Sequence, residues 1–203
     1  GGSPIITTAG ELATALTSTP AGGTVQIAAG THSGTFYSWM QGTEAQPITV
    51  KPVAGAKVII DGSLTINGQY TVWQDIEMMY SGWSTRQTLI PGSTPGDLPI
   101  SKTLTVNGDY TTIRRWNIHD LAGVGSNGQG AVWEDNVIGR NGWKAVGDSR
   151  PGHGHGMYPQ SHGARTYIRR NIFPGCFGSN IHCYTENGHI DNITLEDNVA
   201  FNP

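Results

Sequence analysis

Charge is scarce in this chain. Only 13% of its 203 residues are Asp, Glu, Lys or Arg, and the formal net charge is −3. A chain kept disordered by self-repulsion needs more charge and fewer apolar groups. A binder held by nucleic-acid phosphates needs a basic surface that 12 basic residues against 15 acidic ones do not supply. Long hydrophobic runs are missing too: nothing approaches the ~20 apolar residues that span a bilayer. Cysteine is limited to Cys176 and Cys183. Two thiols cannot make a structural zinc site and their spacing fits no common zinc pattern; two unpaired thiols or one local disulfide are both compatible with it. Glycine is plentiful, at 29 residues, but without the every-third-position rule of collagen. A turn-rich, β-rich protein survives these exclusions, and its length fits one domain, 1–203, without requiring two.

The two ends differ in kind. Gly1-Gly2-Ser3-Pro4 reads as an expression remnant or as a mature end after removal of a leader. The chain stops at Phe201-Asn202-Pro203, just past a strand-like segment. An open strand edge invites pairing. The expectation is therefore a fragment of a longer chain, or end-to-end self-association.

Internal repeats organise what lies between. Leu64-Thr65-Ile66-Asn67-Gly68 returns as Leu104-Thr105-Val106-Asn107-Gly108, 40 residues on. The intervening 81–100 stretch is rich in Gly, Pro, Ser and Thr and reads as an inserted loop; without it the period falls near 20, in the range of stacked repeats. Val72-Trp73-Gln74-Asp75 resembles Val132-Trp133-Glu134-Asp135, and an Asn recurs at 136, 171 and 198. Asn tolerates the left-handed backbone of a tight bend, and stacked Asn amides can bond along a stack. Asp75, Asp135 and Asp197 read as bend residues, and Trp73, Trp116 and Trp133 as packing residues. Met157-Tyr158-Pro159-Gln160 matches Ile181-His182-Cys183-Tyr184 at an offset of 24. Strand alternation turns Met157 and Ile181 inward and sets Tyr158, Gln160 and His162 over His182, Tyr184 and Glu186 on the other face.

Residues 1–22 form a separate N-terminal segment. Apolar residues at helical spacing run from Ala9 to Leu16, Thr8 and Glu11 have capping-box spacing, and the helix should stop before Pro20. The run Glu11 to Leu16, followed by Gly23-Thr24-Val25-Gln26-Ile27-Ala28-Ala29-Gly30-Thr31-His32, resembles the cap and first turn of right-handed parallel β-helix proteins of the pectate-lyase-like superfamily. The Asn bends resemble that superfamily's stacked corners. The resemblance spans nearly the whole chain and implies an all-β solenoid of about seven turns with a short capping helix. It also implies a secreted or cell-surface protein whose partner is a polysaccharide. The superfamily holds lyases, glycoside hydrolases, epimerases, tailspikes and adhesins, so the fold alone does not fix a reaction.

Chemistry is concentrated late in the chain. His153, His155, His162, His182 and His189 share a short window, preceded by Trp143, Lys144, Asp148 and Arg150. A lyase acting on a uronic acid needs a cation on the carboxylate, a base for the adjacent proton and a donor for the leaving oxygen. Histidine titrates where a base is useful, Tyr158 can donate, and Lys144 or Arg150 can neutralise the carboxylate. The expected catalytic set is Tyr158, His182, His155, Arg150 and Lys144, although His155 shares the phase of Met157 and could instead face the core. The expected substrate contacts are Trp143, His153, Gln160, Tyr184 and Trp83. A metal held by His153, His155 and Asp148 is an alternative; calcium is another, although no acidic cluster marks it. A glycoside hydrolase needs two carboxylates, and the outward ladder offers only Glu186, with Asp148 in the nearby loop. A glycan-binding or structural module without catalysis and a tailspike-like trimer complete the alternatives.

Overall fold

The computed structural model describes residues 4–145, 152–186 and 188–201. The chain begins with the expected helix, Ala9–Ser18. Thr8 accepts a hydrogen bond from the Glu11 amide while the Glu11 carboxylate accepts from the Thr8 amide, a complete capping box. Leu12 and Leu16 are buried beneath it, where they close the first rung of the core.

Two long parallel sheets follow. One runs through Ile5–Ile6, Thr24–Ile27, Ile48–Pro52, Thr71–Gln74, Thr112–Arg114, Val132–Glu134, Thr166–Arg169 and Ile193–Glu196, in that order. Each strand pairs with its counterpart one winding away, so successive turns superimpose. The register is that of the sequence repeats: Leu64 pairs with Leu104, Leu104 with Val124, Trp133 with Ile168 and Ile168 with Leu195. The molecule is a parallel β-helix.

The second sheet is built on two long strands, Gly30–Ser38 and Val58–Ile66. The early part of Val58–Ile66 continues into Glu77–Met79, and its late part into Thr103–Val106. From there the sheet forks into two series. Asn117–His119, Val137–Gly139, Ile172–Phe173 and Val199–Ala200 extend one. Gly123–Ser126 and Tyr158–Pro159 extend the other. Among the described residues, the connection at the corner between these series varies widely, from 120–122 to 80–102.

Alternation sends one side of every strand inward. Val25, Val50, Trp73, Ile113, Trp133 and Ile168 form a continuous buried column across the first sheet. Trp116 joins it from the corner, its ring edge on Trp73. Losing one such aromatic would cost about 3–5 kcal/mol.

The corner after that sheet corrects one expectation. The left-handed residue is the one before the Asn at 136, 171 and 198: Asp135, Arg170 and Asp197 have φ of 59°, 54° and 53°, and their counterparts Asp75 and Arg115, which precede Ile76 and Trp116, have 62° and 55°. Opposite charges alternate from rung to rung there, and Arg115 binds Asp75 at 2.6 Å while Arg170 binds Asp135 at 2.8 Å. These pairs hold both aspartates below the usual carboxylate range. The Asn side chains turn inward and bond along the stack, as the ladder expectation has it: Asn136 Nδ2 donates to Asn171 Oδ1 at 2.9 Å and Asn171 Nδ2 to Asn198 Oδ1 at 3.0 Å.

The 81–100 segment is held by one side chain that the sequence reading passed over. Arg86 donates to the carbonyls of Gly142, Arg140 and Leu121 and to Asp120. Its guanidinium lies between the Trp83 and Phe177 rings, 4.1 and 4.9 Å from their centres. Gln87–Thr88 then pairs with Lys144–Ala145, and Leu98, Ala122 and Trp143 make a small second core under the loop. Both cysteines are free, Cys176 buried and Cys183 exposed, so the local disulfide does not form.

Candidate functional site

The forked second sheet has one outward face made of small polar residues. Register aligns Thr65, Thr105, Gly125 and Tyr158 in a single row across adjacent rungs. Beside it lies a row of amides, Asn67, Asn107 and Asn127, joined by side-chain hydrogen bonds of 2.9 and 2.8 Å. A depression of about 320 Å³ opens where Thr105, Gly125, Asn127, His155 and Tyr158 meet. A larger hollow of about 710 Å³ lies against the N-terminal helix, but its one carboxylate, Glu11, is bound in the capping box.

Four of the expected residues converge at the end of this face. Tyr158 stacks on His155 with ring centres 5.4 Å apart, and His182 meets the Tyr158 ring edge-on at 5.1 Å. Tyr184 stacks on His182 at 5.6 Å. His155 therefore faces outward, not into the core. It lies in the Gly152–Gly156 loop rather than in a strand, so the phase of Met157 does not extend back to it. Gln160 sits one strand step away, its amide donating to the Tyr184 carbonyl at 2.8 Å.

Hydrogen bonds fix the protons of the imidazole pair. The Ser179 amide donates to His155 Nδ1 at 3.0 Å. The neutral His155 ring must then carry its proton on Nε2, which lies 2.9 Å from His182 Nδ1 and donates to it. His182 in turn keeps its proton on Nε2. A charged His155 would need a second N–H, aimed at the Ser179 N–H. Burial, with the His182 and His153 charges added, lowers its pKa to about 4. Burial, then Tyr184 and Glu186, raises the pKa of Tyr158, which stays a phenol. In this hydrogen-bonded arrangement the cluster presents the His182 Nε2–H and the Tyr158 O–H as donors. The Ser179 backbone amide, which sets this direction, carries no side-chain signature in the sequence.

The remaining expected residues lie elsewhere. Trp143 and His153 are buried, paired through their backbones and stacked at 5.7 Å; the folded insertion covers the indole that looked free in the sequence. Trp83 is half-buried, its indole N–H donating to the Asp120 carbonyl at 2.6 Å. Lys144 is exposed. Arg150 and Asp148 lie outside the described residues. Both nitrogens of His155 already have protein partners, and no group of three or more His, Cys, Asp or Glu among the described residues could hold a metal ion. His155 therefore has no free nitrogen to offer the expected set with His153 and Asp148, and the described residues offer no acidic cage for calcium. Glu134, Asp135 and Glu196 are engaged by Arg169 and Arg170 on the far sheet and its corner.

Comparison with known structures places this architecture. An alginate lyase from Paenibacillus sp. str. FPU-7 matches with a TM-score of 0.66 at 15% identity, over 97% of this chain and 76% of that one. A family 6 polysaccharide lyase from Pseudopedobacter saltans matches with a TM-score of 0.59 at 16% identity, over 85% of this chain and 47% of that one. Pectate lyase Pel9A matches with a TM-score of 0.58 at 14% identity, over 87% of this chain and 48% of that one. The chain shares the parallel β-helix fold of these structures. The chain spans about half the length of the last two structures. No family model and no curated protein matches the sequence. Among the described residues, no helix is long and apolar enough to cross a membrane.

Proposed function

We propose that this chain is the carbohydrate-active β-helix of a secreted or cell-surface polysaccharide lyase, acting on uronic-acid glycans by β-elimination. The observation that carries the reading is the Tyr158–His155–His182 cluster on an outward polar face. In this assignment the Tyr158 phenol protonates the departing glycosidic oxygen. The Nε2–H of His182 binds the uronate carboxylate, and His155 holds that ring in its donor tautomer. Neutralising charge and acceptance of the carbon-bound proton are assigned to the segment after the second core, which carries Lys144 and Arg150. Lys144 can take a proton once uncharged; Arg150 can only pair with the carboxylate.

Incubation with a panel of uronic-acid polymers, followed by the ultraviolet band of the unsaturated product, tests the reading. Turnover should fall about 10²–10⁴-fold in Tyr158→Phe, the usual worth of one proton-transfer partner. Silence on every polymer, with and without calcium, overturns it. A second reading has its own support: two donors without a base among the described side chains of the cluster suit a glycan-binding module. Retained binding with no turnover, in the parent protein and in both Tyr158→Phe and His182→Ala, selects that reading.

A further inference from the structure

Two large aromatic side chains stand exposed at the opposite end of the same face. Tyr37 and Trp39 are 52% and 57% accessible. Neither is a loop residue by accident of turn chemistry. Burial alternates strictly from Phe36 to Gln41, with Phe36, Ser38 and Met40 inside and Tyr37, Trp39 and Gln41 outside. Tyr37 pairs with Thr65, so it begins the row that continues through Thr105 and Gly125 to Tyr158. Trp39 lies between Ser38, paired with Ile66, and Gln41, paired with Gln69; it therefore stands level with Asn67 and begins the amide row. Four strand spacings separate Tyr37 from Tyr158, about 19 Å.

The floor between the two ends is low. Thr65 and Thr105 give way at Gly125, and Gly123 lies beside it on the same strand. Glycine weakens a strand and often marks a close approach by another molecule. Here the usual demands for it are absent. Neither residue has a positive φ. A Cβ at Gly125 would meet Thr105 Cγ2 at 3.6 Å and one at Gly123 the His155 carbonyl at 3.6 Å, both ordinary contacts. Gly108, by contrast, cannot carry a side chain, because a Cβ would lie 1.6 Å from the Gly68 carbonyl oxygen. The two open glycines are explained by what passes over them.

We infer that Tyr37 and Trp39 form a remote aromatic subsite on this face, about 19 Å from Tyr158, reached only by a glycan long enough to span both. Aromatic rings present flat apolar faces to the C–H faces of pyranoses. The Asn67–Asn107–Asn127 amides supply hydrogen bonds along the polar edge, and the Gly123–Gly125 gap lets a ring settle onto the backbone beside His155 and Tyr158. The inference rests on the reading that this face takes an acidic polysaccharide. It adds a named aromatic anchor far from Tyr158 and a minimum chain length for full affinity.

Binding of an oligouronate series, from disaccharide to decasaccharide, tests it by calorimetry in a Tyr158→Phe background where the ligand is not consumed. Affinity should climb with length until the oligomer reaches Trp39. Trp39→Ala should then weaken the long oligomers about tenfold, the loss of one aromatic anchor, and leave the shortest unchanged. Gly125→Thr should weaken every length while the melting temperature holds or rises, because a β-branched residue suits the strand. Length-independent affinity, or long oligomers indifferent to Trp39→Ala, overturns the aromatic subsite even if turnover is observed. A length-dependent, Trp39-dependent affinity, with no unsaturated product formed by the parent protein on the same oligomers, upholds the aromatic subsite and defeats the lyase reading. No binding at any length overturns both.

Discussion

The molecule contains two asparagine ladders with opposite fates. Asn136, Asn171 and Asn198 climb the inner side of one corner, and the first two are fully buried. Asn67, Asn107 and Asn127 climb the outer face of another sheet, where the last two are exposed. The amide chemistry and rung spacing are the same. In the buried ladder each amide also serves the backbone: Asn171 Oδ1 accepts from the Asn136 N–H at 3.0 Å and Asn171 Nδ2 donates to the Trp133 carbonyl at 2.9 Å. In the outer ladder the bonds run from side chain to side chain, and the remaining donors and acceptors are left to solvent or a ligand. Burial, not residue type, decides which ladder holds the fold and which is available for recognition.

Substitution at matched rungs should expose the difference. Asn171→Ala leaves several buried groups without partners, each worth about 1–3 kcal/mol, and should lower stability in denaturant titration by about 3–5 kcal/mol. Asn107→Ala should lower it by less than about 1 kcal/mol, since water replaces the lost bond. Similar losses for both would mean that exposure does not govern the ladders.

Acid should act on the outer face first. An unfolded histidine titrates near 6.5, whereas His155 in the fold titrates at about 4. As pH falls from about 6.5 to 4, the unfolded chain takes up a proton that the folded ring refuses. Stability contributed by neutral His155 is complete above that window and is lost through it, by at most ~3 kcal/mol. His155→Gln should flatten the melting temperature across this range. An unchanged slope in the variant would assign the acid sensitivity elsewhere.

The smallest effect is expected at the charged corner beside the buried ladder. Arg170→Ala removes the solvent-screened pairs with Asp135 and Glu134 and should lower stability less than either asparagine change, with the loss reduced further by salt. A larger loss would mean that the corner charges share the structural task of the amides behind them.

Much of the frame was legible because a solenoid writes its long-range contacts as short-range repeats. The 40-residue return of Leu64 at Leu104 became a paired register, and the 24-residue match of Met157 to Ile181 became a bridge. What escaped was whatever depends on contacts outside the repeat. Trp143 looked free because the residues that bury it, Leu98 and the Trp83 loop, lie far back in the sequence. The parity of His155 failed because a glycine-rich loop has no alternation to extend. The left-handed position fell on Asp or Arg, not Asn, because the amide is more useful pointing inward, and the ion pairs stabilise the bend beside it. Tyr37 and Trp39 were legible in principle: two aromatics one step apart on the outward side of an alternating strand are a signal, but only once the strand's inner face is known.

The corner where 80–102, 120–122 and 174–180 depart has a bearing on how such a protein can change. At another corner Gly68, Gly108 and Gly128 stack too tightly to admit even a methyl group, yet the connections there also differ, from 67–70 to 39–47. The corner between the two series forms the wider seam, with connections from 120–122 to 80–102. Segments of quite different size can be exchanged at that seam while every strand keeps its partner, which makes the scaffold a natural host for grafted loops bordering an unchanged binding surface.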